Sequence, residues 1–400
     1  MRRTTGVALV VAGLALVGCA PAALSPHASA PVASETGSAS ASAEPASQAV
    51  VSTPLGPSCV PQAESLPLAD RVGQLFMVGV ATQGLDEATR AAITGNKIGS
   101  VVLLGNSTAG VAEIRLLTAQ LGSLGTAELP MLVAVDQEGG SVQRLQGAGF
   151  TQIPTARQQG ELEPAQLREA AAGWAAELAK AGVHYNLAPV ADVVPLSKRT
   201  TNAPIGKLKR DFGSDPDAVA ESVVAFVEGM ASKSLATSVK HFPGLGEVTT
   251  NTDYGAATDN VTGADSASLE PFRAAIEAGV DSVMISSAKF NKLDPDQEAV
   301  FSAAIIDGLL RSDLGFEGVV IADDLGAAGA VSDVLPGQRA VRFFRAGGDL
   351  AINADPALTG DMVAATLAQA QDDPAFEAKL TASAARVLRL KATVGLVECG

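Results

Sequence analysis

The sequence predicts a single (β/α)₈ barrel, and three features support this fold class. From about residue 60 onward, eight short runs rich in β-branched residues alternate with longer Ala-rich, amphipathic stretches. Such alternation is typical of parallel strands joined by helices, and eight units match the number that closes a barrel. Polar residues also cluster just after several strands, where barrel active sites are built. A doubly wound open sheet shows the same alternation and remains the alternative.

The predicted strands and helices follow in chain order. The strands are Gly73–Val80, Ser100–Leu104, Met131–Val135, Tyr185–Pro189, Ser238–Phe242, Ser282–Ser286, Gly318–Ala322 and Asp349–Asn353. The clearest helices between them are Ala112–Leu121, Pro164–Ala181, Pro216–Lys233 and Ala303–Arg311. Two more helices, Asp361–Ala370 and Pro374–Val394, are predicted to end the chain, and Pro374 suits the first turn of the second one.

The composition allows a sizeable core and excludes one class of partner. Hydrophobic residues make up 47% of the chain, and its mean hydropathy is +0.24. The formal net charge is −15, with a pI near 4.7. No basic face is therefore available for nucleic-acid phosphates, and an anionic membrane surface would repel the chain unless a covalent anchor held it.

The N-terminus predicts such an anchor. Arg2 and Arg3 precede the apolar run Val7–Val17, which is too short for an ordinary membrane span. The segment ends in Leu-Val-Gly-Cys, which resembles a bacterial lipobox, so residues 1–18 are interpreted as a signal peptide and Cys19 as the lipidated residue. A plain secretory signal is the alternative. Residues 19–58 are rich in Ala, Ser and Pro and predict a disordered tether that leads to a barrel domain at 59–400.

Two further cysteines stand near the ends of the predicted barrel domain. Cys59 and Cys399 remain when the lipidated residue is set aside. In an exported protein such a pair favours a disulfide that ties the termini together. Two free thiols near frayed ends are the alternative.

The most informative motif runs from Lys240 to Glu247, with the sequence Lys-His-Phe-Pro-Gly-Leu-Gly-Glu. It follows an apolar run and contains Pro and Gly, so it reads as a buried strand that breaks into a loop. The motif resembles the Lys-His-Phe-Pro-Gly-His-Gly signature of glycoside hydrolase family 3, and specifically its short bacterial β-N-acetylglucosaminidases. This resemblance implies one barrel without the second α/β domain of longer members, and a carbohydrate substrate.

Two more segments resemble sugar-binding blocks of that family. Asp136-Gln-Glu-Gly-Gly, followed by Gln-Arg at Arg144, matches a block in which the Asp holds sugar hydroxyls and the Arg helps to position the site. The loop with Arg210 resembles an Ile-Gly-x-Arg-Ser-Phe-Gly loop with two extra residues, which implies that Arg210 meets the sugar. A helix cap and a solvated basic loop are the ordinary alternatives for Asp136 and Arg210.

Lys240 and His241 are both placed on the sugar by the resemblance, although ordinary pleating would point neighbours to opposite faces. We therefore predict a distorted peptide between them, either a bulge or a cis bond. A satisfied core histidine is the alternative for His241.

The predicted nucleophile is Asp323, the first acid after the strand Gly318–Ala322. The resemblance assigns this position to the nucleophile, and a retaining glycosidase needs an ionised carboxylate below the anomeric carbon. Its neighbour Asp324 is expected to hydrogen-bond within the following turn.

The proton donor is less clear, because the family's Asp-Ser-His loop is replaced by Asn251-Thr-Asp253. Asp253 takes the position of the family's acid/base His and is the leading candidate, with Glu247 second. An Asp donor would need its pKa raised towards about 6 by burial or by another carboxylate. The only other histidine outside the N-terminal segment and the motif, His184, is predicted at the opposite end of the barrel, and Ser287 replaces another frequent His.

The sequence implies no metal and no cofactor, since histidines and cysteines are too few and no phosphate-binding Gly loop is present. We predict an exported, lipid-anchored, monomeric exo-β-N-acetylglucosaminidase on the outer face of the bacterial cell membrane, acting on peptidoglycan fragments. The alternatives are a catalytically impaired sugar-binding lipoprotein, a β-glucosidase and a phosphorylase. An intact Asp323 favours an enzyme over a binding protein, and the negative charge of Asp253 disfavours phosphate as the acceptor.

Overall fold

The computed structural model describes residues 58–399 and contains the predicted barrel. Eight parallel strands form one sheet, in which neighbours in the chain are neighbours in space and β8 lies beside β1. A bridge between Ile321 and Leu350 brings the two edges together, so the barrel is nearly closed. A doubly wound sheet is open and reverses its strand order, so the sequential order and the meeting of the edges exclude this alternative. The strands are β1 Phe76–Ala81, β2 Ser100–Leu104, β3 Leu132–Val135, β4 Tyr185–Asn186, β5 Ala236–Phe242, β6 Ser282–Ile285, β7 Val319–Ala322 and β8 Ala351–Asn353.

Helices surround the strands and bury their apolar faces against the sheet. The α-helices are Val60–Ser65, Leu68–Gly73, Glu87–Gly95, Val111–Gly122, Ala156–Gln159, Pro164–Lys180, Pro216–Ala231, Glu270–Glu277, Pro336–Arg345, Thr359–Asp372 and Pro374–Thr393. Short 3₁₀ turns occupy Leu196–Lys198, Gly206–Leu208, Ala267–Leu269, Ala299–Phe301, Gly329–Val331 and Pro356–Leu358. The last α-helix is capped by Asp373, whose carboxylate accepts from two backbone amides, and Pro374 lies in its first turn as predicted.

Two predictions of local structure are corrected. The first strand begins at Phe76, because the predicted start, Gly73, ends the helix Leu68–Gly73. A continuous apolar run does not distinguish the end of a buried helix from the start of a buried strand. Residues Ala304–Asp313 form a π-helix where an α-helix was expected. The apolar periodicity of the two helix types differs too little over ten residues to separate them.

The predicted disulfide is present between Cys59 and Cys399, whose Cα atoms are 4.9 Å apart. It closes a loop of 340 residues and joins the two ends of the described domain. The signal peptide, Cys19 and the tether lie outside the described residues, apart from Ser58. Within residues 58–399, no helix is long and apolar enough to cross a membrane.

Small secondary elements at the carboxyl ends of the strands shape one face of the barrel. A hairpin of Gln137–Gly139 and Val142–Gln143 follows β3 directly. A second small sheet joins Thr258–Asp259, Lys289–Phe290 and Asp294–Glu298, which come from the loops after β5 and β6. These loops rise around the carboxyl ends of β3, β5 and β7, where the predicted site residues lie.

Candidate active site

The peptide between Lys240 and His241, at the end of β5, is cis, and the strand register shifts between Val239 and Phe242. The distorted peptide predicted from the sequence is therefore confirmed. Both side chains are buried, with Lys240 2% and His241 5% exposed. Each finds a carboxylate: Lys240 binds Asp136 and Glu138, and His241 binds Asp192.

Lys240 joins β5 to the hairpin after β3. Its Nζ donates to Oδ1 of Asp136 at 2.5 Å and lies 2.7 Å from Oε1 of Glu138. Although burial opposes the charge of Lys240, these two carboxylates hold its pKa above the ordinary value. Lys240 is thus an ammonium at neutral pH and fixes the side chain of Asp136 at the edge of the site.

Glu138 is a member of this cluster that the sequence reasoning missed. Its side chain is 3% exposed and accepts from Nε of Arg210 at 2.8 Å and from Nη2 of Arg210 at 2.7 Å. Burial opposes the ionisation of Glu138, yet the charges of Arg210 and Lys240 outweigh it and hold its pKa well below the usual range. The signal available in the sequence was its place in the same Asp-Gln-Glu-Gly-Gly block as Asp136.

Arg210 belongs to this cluster, and the groups that it binds there are protein groups. Besides Glu138, it donates through Nη1 to the carbonyl of Pro204 at 2.9 Å. Three of its five N–H groups are used in this way, and two remain for a ligand. The two-residue insertion therefore does not leave Arg210 in solvent, and its role on the sugar stays a prediction.

The turn in the hairpin after β3 requires glycine. Gly139 has φ +106° and Gly140 has φ +56°. A Cβ on Gly139 would also lie 2.3 Å from the carbonyl oxygen of Pro154, which is too close for any real contact. This tight turn aims Glu138 inward and returns the chain to Arg144.

Arg144 lies beside Asp136, and only some of its hydrogen-bond donors have partners within residues 58–399. Its Nη1 donates to Oδ1 of Asn106 at 3.1 Å, and its backbone N–H donates to the carbonyl of Asp136 at 3.4 Å. Its Nε is buried and has no hydrogen-bond partner among the described residues. A buried guanidinium N–H without a partner is costly, and a ligand oxygen would satisfy it.

Asp192 orients His241 and was also missed. This carboxylate is fully buried and accepts from the backbone N–H of His241 at 3.1 Å and from that of Leu245 at 2.8 Å. Its Oδ2 lies 2.7 Å from Nδ1 of His241, so Nε2 is the ring nitrogen left to a ligand. Asp192 stands alone in the apolar run Val190–Val194, which was the available signal for a buried, functional acid.

Asp323 directly follows β7, and its N–H donates to the carbonyl of Ile285 at the end of β6. Burial raises its pKa to about 6, with the charge of His241 opposing the shift and that of Asp253 adding to it. Its Oδ1 accepts from the backbone N–H of Asp324 at 2.9 Å. Asp324 itself accepts from the amides of Gly326 and Ala327 at 2.8 Å, so its predicted role in the following turn is confirmed.

The loop that carries Asp253 is held against the turn after β7. The N–H of Gly329 donates to the carbonyl of Asp253 at 2.9 Å, and that of Ala330 to the carbonyl of Thr252 at 3.0 Å. The side chain of Asp253 is exposed, and its Oδ2 lies 3.3 Å from the amide nitrogen of Asn251. These backbone hydrogen bonds keep Asp253 beside the turn after β7, the strand that Asp323 follows, and the charge of Asp253 adds to the raised pKa of Asp323.

The other residues considered for this region have different roles. Glu247 is engaged in an ion pair with Lys198, which weakens its case as the proton donor. His184 accepts from the backbone N–H of Val133, at the start of β3, and burial lowers its pKa to about 4. The hydroxyl of Ser287 is buried without a partner among residues 58–399. Across the same residues, no group of three potential metal ligands is found.

Comparisons with known proteins agree with the barrel fold and show the family. A family model described as "Glycosyl hydrolase family 3 N terminal domain" matches residues 67–390. A beta-hexosaminidase of Nitrosospira multiformis is 34% identical over 279 residues, which cover 68% of this chain and 77% of that protein.

Two solved structures are similar over most of the chain. The crystal structure of a beta-N-acetylhexosaminidase from Beutenbergia cavernae has a TM-score of 0.81 and 47% identity, and it covers 82% of this chain and 99% of that chain. A family 3 beta-N-acetylglucosaminidase from Paenibacillus has a TM-score of 0.76 and 29% identity, and it covers 83% of this chain and 63% of that one.

Proposed function

We propose that this chain, which belongs to glycosyl hydrolase family 3, is a retaining exo-β-N-acetylglucosaminidase that uses Asp323 as nucleophile and Asp253 as acid/base. The observation that supports this assignment of roles is the packing of the Asp253 loop against the turn after β7, the strand that Asp323 follows. Asp323 is partly buried directly after β7, where its carboxylate accepts from the backbone N–H of Asp324, whereas Asp253 is exposed on a loop. A nucleophile must be fixed below the sugar, while a proton donor must reach the oxygen that leaves.

In the first step, the carboxylate of Asp323 attacks the anomeric carbon. A glycosyl ester forms, the bond to the leaving-group oxygen breaks, and Asp253 gives its proton to that oxygen. The side chain of Asp253 is exposed in the free protein, so the oxygen of a leaving group can reach it.

In the second step, Asp253, now a carboxylate, takes a proton from water. The water oxygen attacks the anomeric carbon, the ester to Asp323 breaks, and the sugar leaves with its original β configuration. Asp253 is protonated again and Asp323 is ionised, as at the start.

The remaining polar groups form the proposed clamp for the sugar. Asp136 accepts from sugar hydroxyls, and Arg144, Arg210, Lys240 and Nε2 of His241 donate to the sugar's oxygens. The charges of Lys240 and Arg210 are balanced before substrate arrives, because Asp136 and Glu138 compensate them.

The cellular setting is proposed from the N-terminal sequence. Arg2, Arg3, the apolar run Val7–Val17 and Cys19 support a lipid anchor, and the Ala/Ser/Pro-rich residues 19–58 support a tether. A monomeric barrel on such a tether, at the outer face of the cell membrane, would reach peptidoglycan fragments, which contain β-linked N-acetylglucosamine. Mass spectrometry of the exported protein tests this directly, since an unmodified Cys19 would contradict the anchor.

The activity is tested by nitrophenol release from nitrophenyl β-N-acetylglucosaminide, with the β-glucoside as control and with or without phosphate. We expect turnover of the N-acetyl sugar alone and no acceleration by phosphate. Preference for the glucoside would indicate a β-glucosidase, and formation of a sugar phosphate would indicate a phosphorylase. Binding without turnover would support the sugar-binding alternative.

The acid/base role is tested through leaving-group dependence. A general acid matters most when the departing oxygen is basic, so Asp253→Ala should suppress cleavage of a disaccharide far more than glycosylation by the nitrophenyl glycoside. Added azide should rescue breakdown of the glycosyl-enzyme, since it needs no general base. Glu247→Ala is the matched control and should leave this dependence unchanged. Equal loss on both substrates, without azide rescue, would make Asp253 a structural residue.

A further inference from the structure

Tyr254 is the most exposed large apolar side chain of the described residues, at 87%. The chain has only two tyrosines, and the other, Tyr185, is buried in β4. A single exposed apolar side chain is ordinary on a protein surface, so exposure alone carries no meaning. The position of Tyr254 does, because it directly follows Asp253.

The backbone at Tyr254 is held in place by its neighbours. Its N–H donates to the carbonyl of Asn251 at 3.1 Å, which closes a turn around Asp253. On the other side, a Cβ on Gly329 would lie only 2.6 Å from the carbonyl carbon of Tyr254. The main chain of Tyr254 therefore rests directly on the turn after β7, and only its ring extends into solvent.

The reaction determines which part of a substrate lies near this ring. A general acid must contact the glycosidic oxygen, which lies between the N-acetyl sugar on Asp323 and the leaving group. Asp323 is partly buried and Asp253 is exposed, so the leaving group lies towards solvent, where the adjacent Tyr254 is also exposed. Nothing in the described structure covers the ring of Tyr254 on that side.

We propose that Tyr254 binds the leaving group when that group is itself a sugar, by stacking its ring on the apolar C–H face of the pyranose. This inference deepens the proposed function, since it depends on Asp253 being the acid/base. Aromatic rings combine a large apolar face with little conformational entropy to lose, which suits them to a shallow, open subsite. The stacked sugar also covers the exposed carboxyl of Asp253 and removes it from water.

The test compares two substrates that differ in the ring of the leaving group. N,N′-diacetylchitobiose and methyl β-N-acetylglucosaminide both release basic oxygens and both need Asp253, but only the first presents a sugar to Tyr254. For Tyr254→Ala we expect kcat/KM to fall roughly five- to tenfold on the disaccharide, the size of one aromatic contact, and about twofold or less on the methyl glycoside. Tyr254→Phe should retain both values, because the ring is kept. Leu116→Ala, which removes another exposed apolar side chain, is the control.

Each outcome decides the proposal. An equal fall on both substrates would show that Tyr254 only positions Asp253, and no fall on either would remove it from the subsite; both overturn the inference. If the wild-type protein cleaves neither substrate, the proposed function is wrong, and this outcome by itself does not decide the role of Tyr254. The stacking is then tested by measuring how tightly each substrate binds. Calorimetry in the Asp323→Asn background should then show the disaccharide, and not the methyl glycoside, bound at least fivefold more weakly after Tyr254→Ala.

Discussion

Replacing Glu138 with Gln should destabilise the barrel more than most single substitutions. The change is nearly isosteric and leaves no cavity, so it measures the effect of removing the charge of Glu138. In the structure, Oε2 accepts from Nε of Arg210 at 2.8 Å, while Oε1 accepts from Nη2 of Arg210 and lies 2.7 Å from Nζ of Lys240. The amide of Gln keeps one oxygen acceptor, but its NH₂ group would face an N–H donor of Arg210 or Lys240. These two buried cations are then compensated by Asp136 alone.

The expected magnitude follows from the burial of the cluster. Both Glu138 and Lys240 have side chains that are 3% exposed, and Arg210 is 14% exposed. Breaking a buried pair by neutralising one member costs about 3–5 kcal/mol, because the other charge loses its compensation. Asp307→Asn is the matched control: its pair with Lys379 is half exposed, at 3.4 Å, so its loss should cost at most about 1 kcal/mol.

The assay is urea unfolding of the two variants and the wild type, over a range of pH. The folded-state pKa of Glu138 lies well below its ordinary value of 4.5, so its contribution is complete above about pH 4.5. It is lost as the pH falls further, by about 1.4 kcal/mol for each pH unit. The difference in free energy of unfolding between wild type and Glu138→Gln should therefore be constant near neutrality and become smaller in acid. A difference below about 1 kcal/mol at pH 7, or one that grows in acid, would refute the reasoning.

Three further predictions concern the nucleophile and the disulfide. Asp323→Asn should leave less than about a hundredth of wild-type kcat, measured with the nitrophenyl glycoside, while sugar binding and folding persist, because the amide cannot attack. Burial raises the pKa of Asp323 to about 6 and the ionised form is reactive, so kcat/KM should fall as the pH drops below about 6. A pH profile in which kcat/KM falls only near pH 4 would contradict this. Reduction of Cys59–Cys399, or Cys59→Ser, should lower the free energy of unfolding by about 2–5 kcal/mol, and an unchanged denaturation curve under reductant would argue against the bridge.

Local features of the sequence were sufficient for the architecture. The eight β/α units predicted from alternating β-branched and Ala-rich stretches are all present, because each strand and helix carries its own periodicity. The role of Asp324 could be predicted as well, since a turn residue bonds to amides two and three positions along the chain. The pairing of Cys59 with Cys399 followed from there being two cysteines in the predicted domain and an exported setting.

The limits of local information appear at element boundaries. The start of β1 and the π-helix at Ala304–Asp313 were missed because an apolar run does not state which hydrogen bonds its backbone will make. The peptide between Lys240 and His241 was anticipated as distorted, yet whether it would be a bulge or a cis bond was not determined by the residues themselves.

Only the tertiary structure decided which charges meet. Arg210 lies 72 positions from Glu138, and His241 lies 49 positions from Asp192, so neither pair is visible along the chain. Closing the barrel brings the ends of distant strands to one face, and the polar groups there must find partners because burial removes them from water. The sequence by itself determined which residues stand at strand ends, and barrel closure determined that Glu138 and Asp192 hold the others and that Tyr254 remains free at the rim.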